Sequence, residues 1–153
     1  MAIDIRGTLR NERGLAMTMN NLWVAFENLG NLDRALAHYE GGMDILFRIG
    51  DRKSAAIILG NIGNINFGRG FLDRALECHQ RSLAIKRRIG DRLGIAVTLN
   101  NMGNVHLLRG EFDKAMELYG ESLALETALG DKRGAVMAMG NLGIAVQQNG
   151  TPA

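Results

Sequence analysis

The chain has 153 residues, enough for one domain with a substantial core. Its 46% apolar and 22% charged residues fit a soluble globular class, and a formal net charge of +2 makes no electrostatic case for nucleic acid. The single cysteine, Cys78, excludes an internal disulfide framework and a multi-cysteine zinc site, and no apolar run nears the ~20 residues of a membrane span.

One proline against twenty glycines argues for long helices separated by glycine turns. The glycines are periodic. Gly30, Gly70, Gly110 and Gly150 lie forty residues apart, as do Asn21, Asn61, Asn101 and Asn141. The runs Gly50-Asp51-Arg52, Gly90-Asp91-Arg92 and Gly130-Asp131-Lys132 keep the same period. Repetition at this length points to a stacked array of helix pairs.

In chain order, residues 1–10 match the end of a later helix, since Ile3 to Arg10 aligns with Leu83 to Gly90. They read as the last turns of a second-type helix. Residues 12–50 hold the first full pair, 51–90 the second and 91–130 the third. In the second pair, the spacing of Ala55, Ile58, Leu59, Ile62 and Ile65 predicts a helix over about 52–68, closed by Gly70. Leu72, Ala75, Leu76, Leu83, Ile85 and Ile89 predict its partner over about 72–89. Gly90 suits the left-handed residue that ends a helix, and Asp91 suits the cap that starts the next. Lys86, Arg87 and Arg88 read as a solvated end that offsets the helix dipole. Residues 131–149 form one unpaired first-type helix, and 151–153 a tail.

Gly63, Gly103 and Gly143 fall inside helices, where each costs about 1 kcal/mol against alanine. Their recurrence predicts that a neighbouring backbone passes too close for a Cβ. Ala35, Ala75 and Ala115 would be the small residues opposite.

These residues resemble the tetratricopeptide repeat, with its W-x2-L-G-x2-Y and A-x3-F blocks. Leu59, Ile62, Gly63 and Asn66 fall on the first block, and Ala75 and His79 on the second. The next repeat supplies Leu99, Met102, Gly103, His106, Ala115 and Tyr119; the first supplies Met19, Leu22, Trp23, Phe26, Ala35 and Tyr39. Met139, Leu142, Gly143 and Val146 begin a fourth. The usual proline is absent, with Phe47, Arg87 and Thr127 in its place. The forty-residue period is similar to that of the Pins-type spindle-orientation adaptors and of bacterial signalling proteins. The resemblance implies an all-α, right-handed solenoid of antiparallel helix pairs, forming a single domain over 1–150.

It also implies a function: a scaffold that holds a peptide or helical segment of a partner protein in a concave groove lined by first-type helices. The matching groove positions are Met17, Asn20 and Val24; Ile57, Asn64 and Phe67; and Val97, Asn100, Asn104 and Leu107. Asn64 and Asn104 correspond to the amides that bond a bound peptide's backbone in family members. The lysines and arginine that clamp a C-terminal carboxylate in the chaperone-adaptor members are missing here. The groove is therefore expected to be apolar with a few amides. Asn21, Asn61, Asn101 and Asn141 fit a bond between repeats better than a site.

The last helix lacks the polar outer face of a capping repeat. Met137, Met139, Leu142, Ile144 and Val146 form its candidate self-association surface, for a head-to-tail or two-fold homo-oligomer through the terminal helices. The alternative is that the chain belongs to a larger regulatory protein. No enzyme is expected: His38, His79 and His106 sit at packing positions, and Cys78 and His79 point in different directions on one helix. The basic run Lys86-Arg87-Arg88 with Arg92 is too local for a nucleic-acid surface. No cofactor, metal or membrane partner is expected, and the start Met1-Ala2-Ile3-Asp4 together with one cysteine fits a cytoplasmic protein.

Overall fold

The computed structural model describes residues 32–150 and shows six helices and no strand among them. These are α1 (Leu32–Arg48), α2 (Arg52–Gly68), α3 (Leu72–Ile89), α4 (Arg92–Leu108), α5 (Phe112–Leu129) and α6 (Lys132–Asn149). Each packs on the next. First-type helices α2, α4 and α6 also touch one another across the repeats, more closely than the second-type helices do. The result is an all-α solenoid, one sequence period per helix pair.

The punctuation of the sequence becomes geometry at the turns. Gly90 and Gly130 end α3 and α5 at φ of 72° and 73°, a conformation that costs glycine nothing. The aspartates that follow cap the next helix. Asp51 accepts from the Ser54 amide at 3.1 Å, and Asp91 and Asp131 accept from Gly94 and Gly134, each at 3.0 Å. Caps of this kind are each worth about 1 kcal/mol. α3 and α5 begin at Phe71 and Glu111 without a side-chain cap, so packing holds their first turns.

In the pairs α2–α3 and α4–α5 a buried serine ties the second helix to the first: Ser82 Oγ donates to the Ala56 carbonyl and Ser122 Oγ to the Ala96 carbonyl, both at 2.8 Å. Apolar clusters fill the seams, one around Tyr39, Leu46, Ile58 and Leu59, another around Leu83, Leu99, Met102 and Leu118.

The interior glycines need a correction. What occupies the space over Gly63 and Gly103 is an aromatic ring of the following helix, not its backbone. A Cβ on Gly63 would sit 2.8 Å from His79, and one on Gly103 would sit 2.6 Å from Tyr119. Gly143 on α6 has nothing within 4 Å of that point.

A second correction concerns Lys86. It is buried, not solvated, and Nζ donates to Thr98 Oγ1 at 2.8 Å.

Candidate functional site

The face shared by α2, α4 and α6 is set by position within each helix. Residues six places after the capping aspartate point away from the second-type helices, so side chains there meet solvent. Those residues are Ile57, Val97 and Met137, one per repeat and 42%, 47% and 59% exposed. They form a stripe of branched and thioether side chains across three helices. Phe67 and Leu107 lie half-buried towards the far end of the same helices. Leu107 also packs on Ala115, Tyr119 and Ala145, so part of it belongs to the core. Met17, Asn20 and Val24 lie outside the described residues.

The asparagines divide by their neighbours. Asn104 Oδ1 accepts from the Tyr119 hydroxyl at 2.6 Å, and Asn100 Oδ1 accepts from Asn141 Nδ2 at 2.9 Å across the repeat boundary. Each oxygen therefore already holds one donor, while the side-chain amide N–H groups make no bond among the described residues. Asn64 is exposed and makes no side-chain bond among the described residues, because the residue fifteen places on is His79, which has no hydroxyl to offer. Burial pushes the Tyr119 phenol up to about 12, so it stays a donor.

The residues expected to mediate self-association do not share one surface. Met137 and Ile144 lie on the α2–α4–α6 face, whereas Leu142 is half-buried against Ala115, Tyr119 and Ala145. Met139 and Val146 lie on a different side of α6, with Val136 and Gly143. The positions forty earlier, Ala96, Leu99, Gly103 and His106, are all buried under α5. On α6 that side is uncovered.

Where α4, α5 and α6 meet, a recess of about 250 Å³ opens between Val97 and Met137. Asn100 and Asn101 line one wall, Asp131 and Gly134 the other, and Glu126 also reaches it. Glu126 is 4% exposed, and its Oε2 has no hydrogen-bond partner in the protein. Burial, with the Asp131 carboxylate beside it, pushes the Glu126 carboxyl above its usual range against a smaller opposing pull from Ser122.

The family model for the tetratricopeptide repeat matches residues 54–128. Those residues are tetratricopeptide repeats. Solved structures agree on the fold. BtubC from P. vanneervenii superposes with a TM-score of 0.80 at 21% identity, over 89% of this chain and 57% of its own. The N-terminal domain of stress-induced protein-1 from C. elegans gives 0.68 at 14% identity, covering 85% of this chain and 96% of its own. A signal-transduction ATPase with a tetratricopeptide repeat sensor, from Pyrococcus horikoshii, gives 0.65 at 14%, over 88% of this chain and 27% of its own. The chain thus spans little more than half of BtubC. No curated protein matches it in sequence. Tetratricopeptide repeats are generally protein-interaction modules and typically not enzymes.

His79, His106 and Cys78 are wholly or partly buried among the helices. His79 occupies the ring position held by Tyr39 and Tyr119, and burial, with the charge of Lys86 nearby, lowers it to about 4. His106 is buried, with Nδ1 3.6 Å from Glu111. The side chain of His38 lies outside the described residues. Cys78 is half-buried, and burial raises its thiol. Among the described residues no three His, Cys, Asp or Glu side chains gather as metal ligands, and no helix is long and apolar enough to cross a membrane. The Glu126 recess is absent from the sequence-level site, although the repeat carries its signal: position 86 is lysine and position 126 glutamate.

Proposed function

We propose that the chain holds a segment of a partner polypeptide along the face of α2, α4 and α6. One observation carries this reading: Ile57, Val97 and Met137 present one exposed apolar side chain per repeat on a continuous face. Water-exposed side chains of that size on three adjacent helices suit a docked apolar segment. Asn64, with both amide functions open, and the donors of Asn100 and Asn104 supply backbone partners for it. The test is a peptide-display selection on the immobilised chain, followed by the Asn64→Arg, Val97→Glu double variant. Selected peptides lose binding to that variant while its helical circular dichroism is kept. Retained binding places the site elsewhere.

A second reading concerns the uncovered side of α6. Val136, Met139, Gly143 and Val146 occupy positions that α2 and α4 bury beneath their following helix. Pairing with another copy of the chain would cover them. Sedimentation of the chain and of Met139→Glu distinguishes the cases: a dimer that the substitution dissolves supports pairing, and a monomer at every concentration refutes it.

A further inference from the structure

The recess between Val97 and Met137 differs from its counterpart one repeat earlier by the sign of one buried charge. In the earlier repeat Lys86 lies next to Asp91 and donates to Thr98. The frame there supplies its own cation to the capping aspartate. Forty residues on, the lysine is Glu126, the aspartate is Asp131, and the threonine is Ala138. Gly94 and Gly134 occupy equivalent places. A Cβ on Gly94 would meet Asp91 and the Lys86 chain, and one on Gly134 would meet Asp131 and the Glu126 carboxyl. The backbone is the same and the electrostatics are inverted.

Two carboxylates now crowd one backbone point without an internal counter-ion. Arg133 lines the recess and Lys132 borders a second hollow against Glu126 and Asp131. Neither makes an ion pair with Glu126 or Asp131 among the described residues. Glu126 Oε2 stays buried and unpartnered, a state whose cost persists until a donor arrives. Val97 and Met137, exposed on the proposed docking face, give the recess its apolar side chains. Two apolar side chains beside two acidic groups match a long aliphatic stem that ends in a charged donor.

We propose that this recess receives a lysine or arginine side chain of the docked polypeptide, its head between Glu126 and Asp131 and its stem between Val97 and Met137. The inference rests on the docking reading above and adds a chemical requirement: a partner segment needs a cationic residue at the α4–α6 end of the stripe. Asn100 and Asn101 offer side-chain oxygens at the wall, although the Asn100 oxygen already holds Asn141.

The test uses small probes, so its outcome is separate from that of the docking reading. The full chain, with carbon-13-labelled glutamate, is titrated with acid in the presence of N-acetyl-lysine methylamide, its arginine analogue or its norleucine analogue. The groups facing Glu126 in that titration are Asp131, Ser122, Arg133 and Lys132. Saturating lysine or arginine probe lowers the Glu126 midpoint by about one pH unit or more, the effect of an opposite charge within a few ångströms. The norleucine probe leaves it unchanged. A midpoint indifferent to all three probes, or shifted equally by norleucine, overturns the proposal. So does a response of the Val97 and Met137 methyl signals to the lysine probe that survives in Glu126→Gln. That isosteric variant keeps the fold under test. If the probes act while displayed peptides ignore the Val97 face, the recess stands and the docking reading falls; the reverse result drops the recess alone.

Discussion

Alanine at Gly143 should stabilise the chain, whereas the same exchange at Gly103 should not. Both glycines lie inside first-type helices, so each exchange recovers about 1 kcal/mol of helix propensity. The surroundings separate them. A Cβ at position 143 meets nothing within 4 Å, and the gain survives whole. A Cβ at position 103 would lie 2.6 Å from the Tyr119 ring. That ring is 0% exposed and is anchored by its hydroxyl to Asn104 at 2.6 Å, so it cannot swing away like a flexible chain end. Overpacking of this kind costs about 1–3 kcal/mol, leaving Gly103→Ala neutral to about 2 kcal/mol less stable. Urea unfolding followed by far-ultraviolet circular dichroism gives both values, and at this chain length about 1 kcal/mol moves the thermal midpoint by roughly 2–4 °C. If Gly103→Ala proved as stabilising as Gly143→Ala, the ring would not be filling the glycine notch. A destabilised Gly143→Ala would show that something covers that side of α6.

Other outcomes follow from single contacts. His79, lowered to about 4 chiefly by burial, binds its proton in the unfolded chain but not in the folded one between the ordinary histidine value and about 4. Stability is therefore full above that window and falls through it by about 3 kcal/mol as pH drops. His79→Tyr should flatten the fall in urea titrations run at several pH values; Glu126, raised by burial, works in the opposite sense. Ser82→Ala and Ser122→Ala should each cost about 1 kcal/mol by removing the hydroxyl's bond to the Ala56 and Ala96 carbonyls, which keep their intrahelical partners, and the two losses should add in the double variant. A markedly smaller sum in calorimetry would mean the two seams are coupled.

Much of the fold is legible in the sequence because its boundaries are local chemistry. The Gly-Asp turns mark helix ends through φ and capping, and the predicted spans 52–68 and 72–89 coincide with α2 and α3. What approaches an interior glycine is not local. Gly63 and Gly103 announce a close neighbour, but only the packing shows rings from sixteen residues on. The asparagines make the same point. Asn64 and Asn104 are identical in register, yet one is open and the other accepts from Tyr119, because the partner position changed from histidine to tyrosine. Lys86 reads as a helix-end charge until burial reveals it as a buried donor to Thr98. The Glu126 recess escapes a reading that seeks what repeats, since its content lies in where the repeat changes sign.

Methyl-resolved nuclear magnetic resonance of the chain with a peptide selected by display tests the central claim most directly. Docking along α2, α4 and α6 predicts that the Ile57, Val97 and Met137 methyl signals shift together as the peptide is added. Signals on the second-type helices, such as those of Leu76 and Leu118, should stay still. Shifts centred on Leu76 and Leu118, with Ile57, Val97 and Met137 unmoved, would contradict it.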